Sequence, residues 1–145
     1  MIALDTNILV YALREESPWH ASAVLRLREL AEGRSTWAIP APSLHEFLAV
    51  ATHPRIFTPP TPLGVAIEFT EAVLQSPTLL VLSESDGYWP VLHGLVRGSN
   101  VAGRRIHDAR IAALCLHHRV AELWSADRDF GRFPQVKTRN PLVAS

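Results

Sequence analysis

Four acidic residues stand at positions where a folded chain can do chemistry: Asp5, Glu46, Asp108 and Asp127. The densest stretch runs from Ile106-His107-Asp108 to Asp127-Arg128-Asp129-Phe130. Between its two acidic ends lie Ala109 to Leu116, with Arg110 as the only charge, and a short run from Val120 to Trp124. A helix apolar on nearly every side is a buried helix. A short apolar run bounded by polar residues is consistent with a buried strand. One acid opens the helix and another leaves the strand. Several carboxylates in one cleft repel each other, and burial makes ionisation harder still. Divalent cations make such a cluster tolerable, and oxygen-only ligands point to hard ions, Mg2+ or Mn2+. One or two such ions can activate a water, hold a phosphodiester and stabilise the leaving oxygen of an in-line displacement. Thr6, Asn7 and Ser125 are placed to orient ligands or waters from behind.

Each acid also has a plainer reading. Asp5 can cap the helix that follows it, and Asp108 at a helix start complements the helix dipole. Glu46 can be a solvated helix residue, and Asp127 and Asp129 can be loop formers. Glu84 and Asp86 read as ordinary first-turn acids and fall outside the site. His117-His118 sits at a helix end, where positive charge is welcome. No pair among the seven histidines has a zinc spacing with Cys115. Residue types and spacing alone reach an acidic metal site and no further.

The elements that must position these residues are short. Ile2 to Leu4 reads as a strand that stops at Asp5-Thr6-Asn7, and Ile8 to Leu13 as a brief helix capped by one of those three. Ser17-Pro18 opens a helix with proline in a permitted first-turn place, closed by Gly33. Thr36 to Ile39 is a second strand. Pro40 and Pro42 lead into a helix whose Leu44, Phe47, Leu48 and Ala51 form an apolar stripe, with Glu46 off its middle. A stiff Pro59-Pro60-Thr61-Pro62 connector precedes an amphipathic helix from Leu63 to Leu74. Thr78 to Leu82 is expected to be a strand buried on both faces. Ser83 to Asp86 is expected to start a helix that turns Tyr88, Val91, Leu92, Leu95 and Val96 inward. A last strand is expected near Val136 to Thr138. Short strands alternating with helices imply an α/β layered fold with a largely parallel sheet. Sites in open sheets of that kind gather beyond the carboxyl ends of the strands, so the topology can bring all four acids to one edge.

The 145 residues are the length of one domain. An apolar fraction of 48% with 19% charged residues argues against a disordered chain. No apolar run approaches the ~20 residues of a membrane span, and Met1 is followed directly by a strand rather than a secretory leader. The lone Cys115 allows no internal disulfide and reads as a small core hydrophobe, which fits a reducing, cytoplasmic setting. The net charge is zero, but residues 1–96 carry a net −5 and residues 97–145 a net +5. Such asymmetry can mark a nucleic-acid face, with scattered solvated arginines as the alternative.

Four segments in order carry a resemblance: Leu4-Asp5-Thr6-Asn7, Pro42-Ser43-Leu44-His45-Glu46-Phe47, His107-Asp108-Ala109-Arg110-Ile111-Ala112-Ala113, and Trp124-Ser125-Ala126-Asp127-Arg128-Asp129-Phe130. Together they resemble the PIN-domain family, and within it the VapC-type toxin ribonucleases of bacterial and archaeal toxin–antitoxin pairs. The resemblance covers essentially the whole chain. It implies a single PIN-like domain over residues 1–145, with a central, mostly parallel sheet of four to five short strands flanked by helices. It implies a Mg2+- or Mn2+-dependent endoribonuclease, often a homodimer, held inactive by a small VapB-type antitoxin. The family's metal-binding and catalytic acids fall on Asp5, Glu46, Asp108 and Asp127. Ser125 stands for the usual threonine and keeps its hydroxyl, and Asp129 is a second candidate in the last motif. On this reading the arginines of the basic half, Arg104, Arg105, Arg110 and Arg128 among them, hold RNA phosphates. Recognition then uses a single-stranded or loop region.

Other readings fit less well. A haloacid-dehalogenase-like phosphatase needs a second aspartate two residues after the first, where this chain has Asn7. No glycine fingerprint of a nucleotide-binding domain is present. A PIN-like module that only binds RNA or a partner, and an RNA-processing nuclease without an antitoxin, are the remaining alternatives.

Overall fold

The computed structural model describes residues 1–143. Strand β1 (Ile2–Leu4) occupies the centre of a five-stranded parallel sheet. Beside it lie β2 (Trp37–Pro40) and β4 (Glu122–Trp124), with β3 (Leu79–Leu82) and β5 (Thr138–Arg139) at the edges. Every pairing is parallel. The helices are α1 (Thr6–Leu13), α2 (His20–Glu32), α3 (Ala41–Ala51), α4 (Leu63–Leu74), α5 (Tyr88–Ser99) and α6 (Arg105–His117), followed by a 3-10 helix at Arg128–Arg132.

Side chains alternate across a strand, and that alternation divides the core in two. Ala3, Ala38 and Leu123 face the layer that contains α5 and α6. Leu4, Trp37, Ile39 and Trp124 face the layer built from α1, α2, α3 and α4. The α6 side is lined by small residues: Ala3 and Ala38 from the sheet meet Ala109, Ala112 and Ala113, all fully buried. Small side chains let a helix lie close on the sheet, which is why the apolar stretch 109–115 is a sheet-covering helix. Cys115 is buried within it, and burial pushes its thiol up to about 12, the behaviour of a core residue.

Three expectations are corrected. β3 is not buried on both faces: it forms an edge of the sheet, and Leu80 and Val81 are 49% and 41% exposed. An apolar run carries no record of whether a second neighbour will pair with it. Ser83 to Asp86 is loop rather than the first turn of a helix; α5 begins after Gly87, whose φ of 88° is the left-handed conformation that glycine adopts without strain. Helix α2 begins at His20, not at Ser17-Pro18, because the Ser17 hydroxyl accepts from the Trp19 N–H in a turn ahead of it. No helix among the described residues is long and apolar enough to cross a membrane.

Candidate active site

The parallel register places the site. Leu4 lies opposite Trp124, so the residues that leave the two strands, Asp5 and Ser125, emerge side by side. Asp5 occupies the N-cap position of α1 but its side chain makes no capping bond. Its carboxylate is instead buried and gathered inward. The Ser125 hydroxyl donates to Oδ2 at 2.7 Å, the Ser43 hydroxyl to Oδ1 at 3.4 Å, and the Asn7 amide to Oδ2 at 3.5 Å. Asn7 also donates to the Ser125 hydroxyl at 3.3 Å and accepts from the Ala126 N–H at 3.0 Å. The Ser125 hydroxyl accepts from the Asp127 N–H at 3.0 Å. Thr6 donates to the Ser43 carbonyl at 3.5 Å. These bonds tie the turn after β1 to the start of α3 and to the loop after β4.

Asp127 opens the 3-10 helix, its Oδ1 accepting from the Asp129 N–H at 2.8 Å. Asp108 lies in the first turn of α6 and Glu46 in the middle of α3. One carboxylate oxygen from each of Asp108, Asp127 and Asp129 lies within 4.8 Å of the others. The acids act on one another. Burial pushes Asp5 up to about 6, against the Ser125 bond and the Thr6 N–H, and the charges of Glu46 and Asp127 push the same way. Desolvation and then Asp108 raise Glu46. Desolvation, then Asp127 and Asp129, raise Asp108, with Arg105 opposing. Like charges held this close define a site that favours either protons or a cation.

A cleft of about 670 Å3 opens over this cluster, lined by Glu46, Asp108, Asp127 and Asp129 together with Arg104, Arg105 and Arg110. A smaller pocket of about 260 Å3 shares Glu46, Asp108 and Asp127 and reaches back to Asp5, Thr6 and Asn7. All four acids singled out in the sequence therefore reach one connected depression, and Asp129 joins them. Arg105 approaches Asp129 at 3.9 Å, whereas Arg110 donates through Nε to Glu84 at 2.9 Å. Arg128 is exposed on the 3-10 helix and does not line the cleft.

Sequence reasoning overlooked three residues. Ser43 reaches Asp5, and its position three residues before Glu46 is the signal, since one helical turn puts both at the same edge. His45 and His107, each beside an acid in sequence, line the cleft. Glu84, assigned to a helix start, sits in the loop before α5 and meets Arg110; nothing local in the sequence announces that contact.

Known proteins are similar to this chain. The chain is 31% identical to ribonuclease VapC48 of Mycobacterium tuberculosis over 138 residues, 95% of each chain. It is 34% identical to ribonuclease VapC43 of the same organism over 142 residues, 98% of this chain and 96% of the relative. The PIN domain family profile matches residues 2–136. The chain is a PIN domain of the VapC family. Solved structures carry the same fold. VapBC2 from Rickettsia felis, bound to a DNA fragment from its promoter, matches this PIN domain with a TM-score of 0.68 at 21% identity, covering 96% of this chain and 98% of that one. Mycobacterium tuberculosis VapC20, a sarcin-ricin loop cleaving toxin, matches with a TM-score of 0.63 at 16% identity, over 90% and 93%. At those identities the likeness speaks for the fold, and the VapC relationship rests on the closer relatives.

Proposed function

We propose that this PIN domain is an endoribonuclease that depends on a divalent metal ion and serves as the toxin of a VapBC-type pair. The observation that carries the reading is the convergence of Asp5, Glu46, Asp108, Asp127 and Asp129, from four separate places in the chain, on a cleft and the smaller pocket that shares three of its acids. The donor set fits a hard ion. Three carboxylate oxygens within 4.8 Å of one another make an oxygen-only donor set of the kind that hard divalent cations take. Asp108, Asp127 and Asp129 would hold the ion, with Glu46 and Asp5 at its inner side. Mg2+ or Mn2+ bound there supplies the charge that activates water and stabilises phosphoryl oxygens.

The chain's own residues do the rest. Ser125, Ser43 and Asn7 fix the Asp5 carboxylate before any ion binds. Arg104, Arg105 and Arg110 line the same cleft as the acids and set positive charge where an RNA backbone would lie. The single-stranded form fits an open cleft better than a duplex does. Support for a VapB-type antitoxin comes from the VapC relatives and from structural neighbours solved as toxin–antitoxin complexes. A homodimer in the cytoplasm completes the reading.

Incubating the purified chain with total RNA, with and without Mn2+, and mapping the cut ends tests the activity. Cuts that need the ion and vanish with a chelator are expected; RNA left intact in both conditions contradicts the reading. Co-expression with the product of an adjacent small gene is expected to yield a soluble complex that no longer cuts.

A further inference from the structure

Two arginines on the same cleft treat the acidic cluster differently. Arg105 leans on Asp129 at 3.9 Å. Arg110, two residues along α6 from Asp108, turns away and donates Nε–H to Glu84 Oε1 at 2.9 Å. Among the described residues the guanidinium has no other hydrogen-bond partner. A guanidinium held at Nε keeps both terminal nitrogens available, and that pair of N–H groups is the fork that grips a phosphate.

The loop that carries Glu84 is fastened on both sides of it. His118 Nε2 donates to the Ser83 carbonyl at 2.8 Å, and His117 Nε2 pairs with the Ser85 hydroxyl at 2.7 Å. Both histidines belong to the carboxyl end of α6. Three consecutive loop residues are thus tied to the helix that bears Arg110 and Asp108. Beneath them lies Tyr88, whose buried hydroxyl has no partner and whose charged neighbours are Glu84 and Arg110. An exposed ion pair between free side chains contributes little, because two mobile chains must be ordered to form it. Here one of the two is already ordered by its loop.

We infer that Glu84 is a positioning residue, which holds the Arg110 guanidinium on the cleft wall with its terminal nitrogens turned to an RNA phosphate. This rests on the nuclease reading and adds to it. Without Glu84 the Arg110 guanidinium is held at no atom, and the cost of ordering it falls on RNA binding. The brace therefore saves ordering cost when RNA binds.

The test uses the full chain, a fluorescein-labelled single-stranded RNA and Mn2+. KM and kcat are read from cleavage, and RNA affinity from anisotropy in EDTA. Glu84→Ala is expected to raise KM and weaken RNA binding about fivefold with little change in kcat. Glu84→Asp keeps the charge but withdraws the acceptor by one methylene, and is expected to behave like Glu84→Ala. Glu84→Gln keeps an oxygen in reach of Nε and is expected to restore most of the loss. Arg110→Ala is expected to match or exceed Glu84→Ala, and adding Glu84→Ala to it should cost nothing more. Unchanged or tighter RNA binding in Glu84→Ala, or losses that add in the double variant, overturn the brace. A wild-type chain that neither binds nor cuts RNA overturns the nuclease reading and the brace together. Wild-type activity with an indifferent Glu84→Ala overturns the brace alone.

Discussion

Ser125 donates a 2.7 Å hydrogen bond to Asp5 across 120 residues of chain. The bond exists because β1 and β4 are paired in parallel with Leu4 opposite Trp124, which brings the first residues beyond each strand together. The same hydroxyl accepts from the Asp127 N–H, so one oxygen fixes an acid from the beginning of the chain and another from its end.

Ser125→Ala removes both contacts. Loss of such a supporting group is expected to lower metal affinity or kcat/KM by about 10- to 100-fold, and to cost about 1–3 kcal/mol of stability through the under-bonded buried carboxylate. Ser125→Thr keeps the hydroxyl and is expected to retain most activity. Parallel Mn2+ titration, cleavage assays and denaturation of the two variants check this; an Ala variant equal to the Thr variant contradicts it.

The raised Asp5 gives stability a definite dependence on pH. Its folded value of about 6 lies above the ordinary 3.8, so between those values the folded state binds more protons than the unfolded one. The metal-free chain is therefore expected to lose stability as pH rises from about 4 to about 6, by up to about 3 kcal/mol from this group. Metal needs the deprotonated carboxylate, so ion-dependent stabilisation is expected to grow over the same interval. Denaturant midpoints in EDTA and in Mn2+ at pH 4.5, 5.5 and 7, taken as wild type minus Asp5→Asn, isolate the effect. A difference that does not vary with pH contradicts it.

Much of this was legible in the sequence, and the omissions have physical causes. Helical periodicity located the helices, and short apolar runs the strands, because burial acts on every residue of an element. Asp5, Asp108 and Asp127 were legible because each stands at or near an element end, whereas Glu46, in the middle of α3, was legible only through the resemblance of its segment. What a one-dimensional reading lacks is neighbours in space. The run Leu79–Leu82 is as apolar as a central strand, yet it lies at the sheet edge with Leu80 and Val81 exposed. Asp5 looks like a helix cap, yet its carboxylate is turned to Ser125. Glu84 looks like a first-turn acid because its partner, Arg110, is 26 residues away.

Tyr88 makes a separate test of packing. Its hydroxyl is buried without a partner, a situation that costs about 1–3 kcal/mol. Tyr88→Phe is expected to leave stability unchanged or raise it by about 1 kcal/mol. A loss larger than about 1 kcal/mol on thermal or chemical denaturation would contradict an unpartnered hydroxyl.

RNA binding is expected to weaken steeply with salt. Each phosphate contact adds roughly 0.7 to the log–log slope for single strands. Arg104→Ala is expected to reduce that slope by about one such step, whereas Arg128→Ala, outside the cleft, is expected to leave it unchanged. Anisotropy titrations over a salt series read both; equal slopes for Arg104→Ala and the wild type remove Arg104 from the RNA path.

The convergence of the acids on a shared ion is tested most directly by Mn2+ binding, followed by electron paramagnetic resonance, in the wild type and in Asp108→Asn and Asp127→Asn. Saturable binding by the wild type is expected, with each substitution weakening it by at least about tenfold while circular dichroism stays unchanged. A wild-type chain that binds no Mn2+, or variants that bind it as tightly as the wild type, would contradict the shared site.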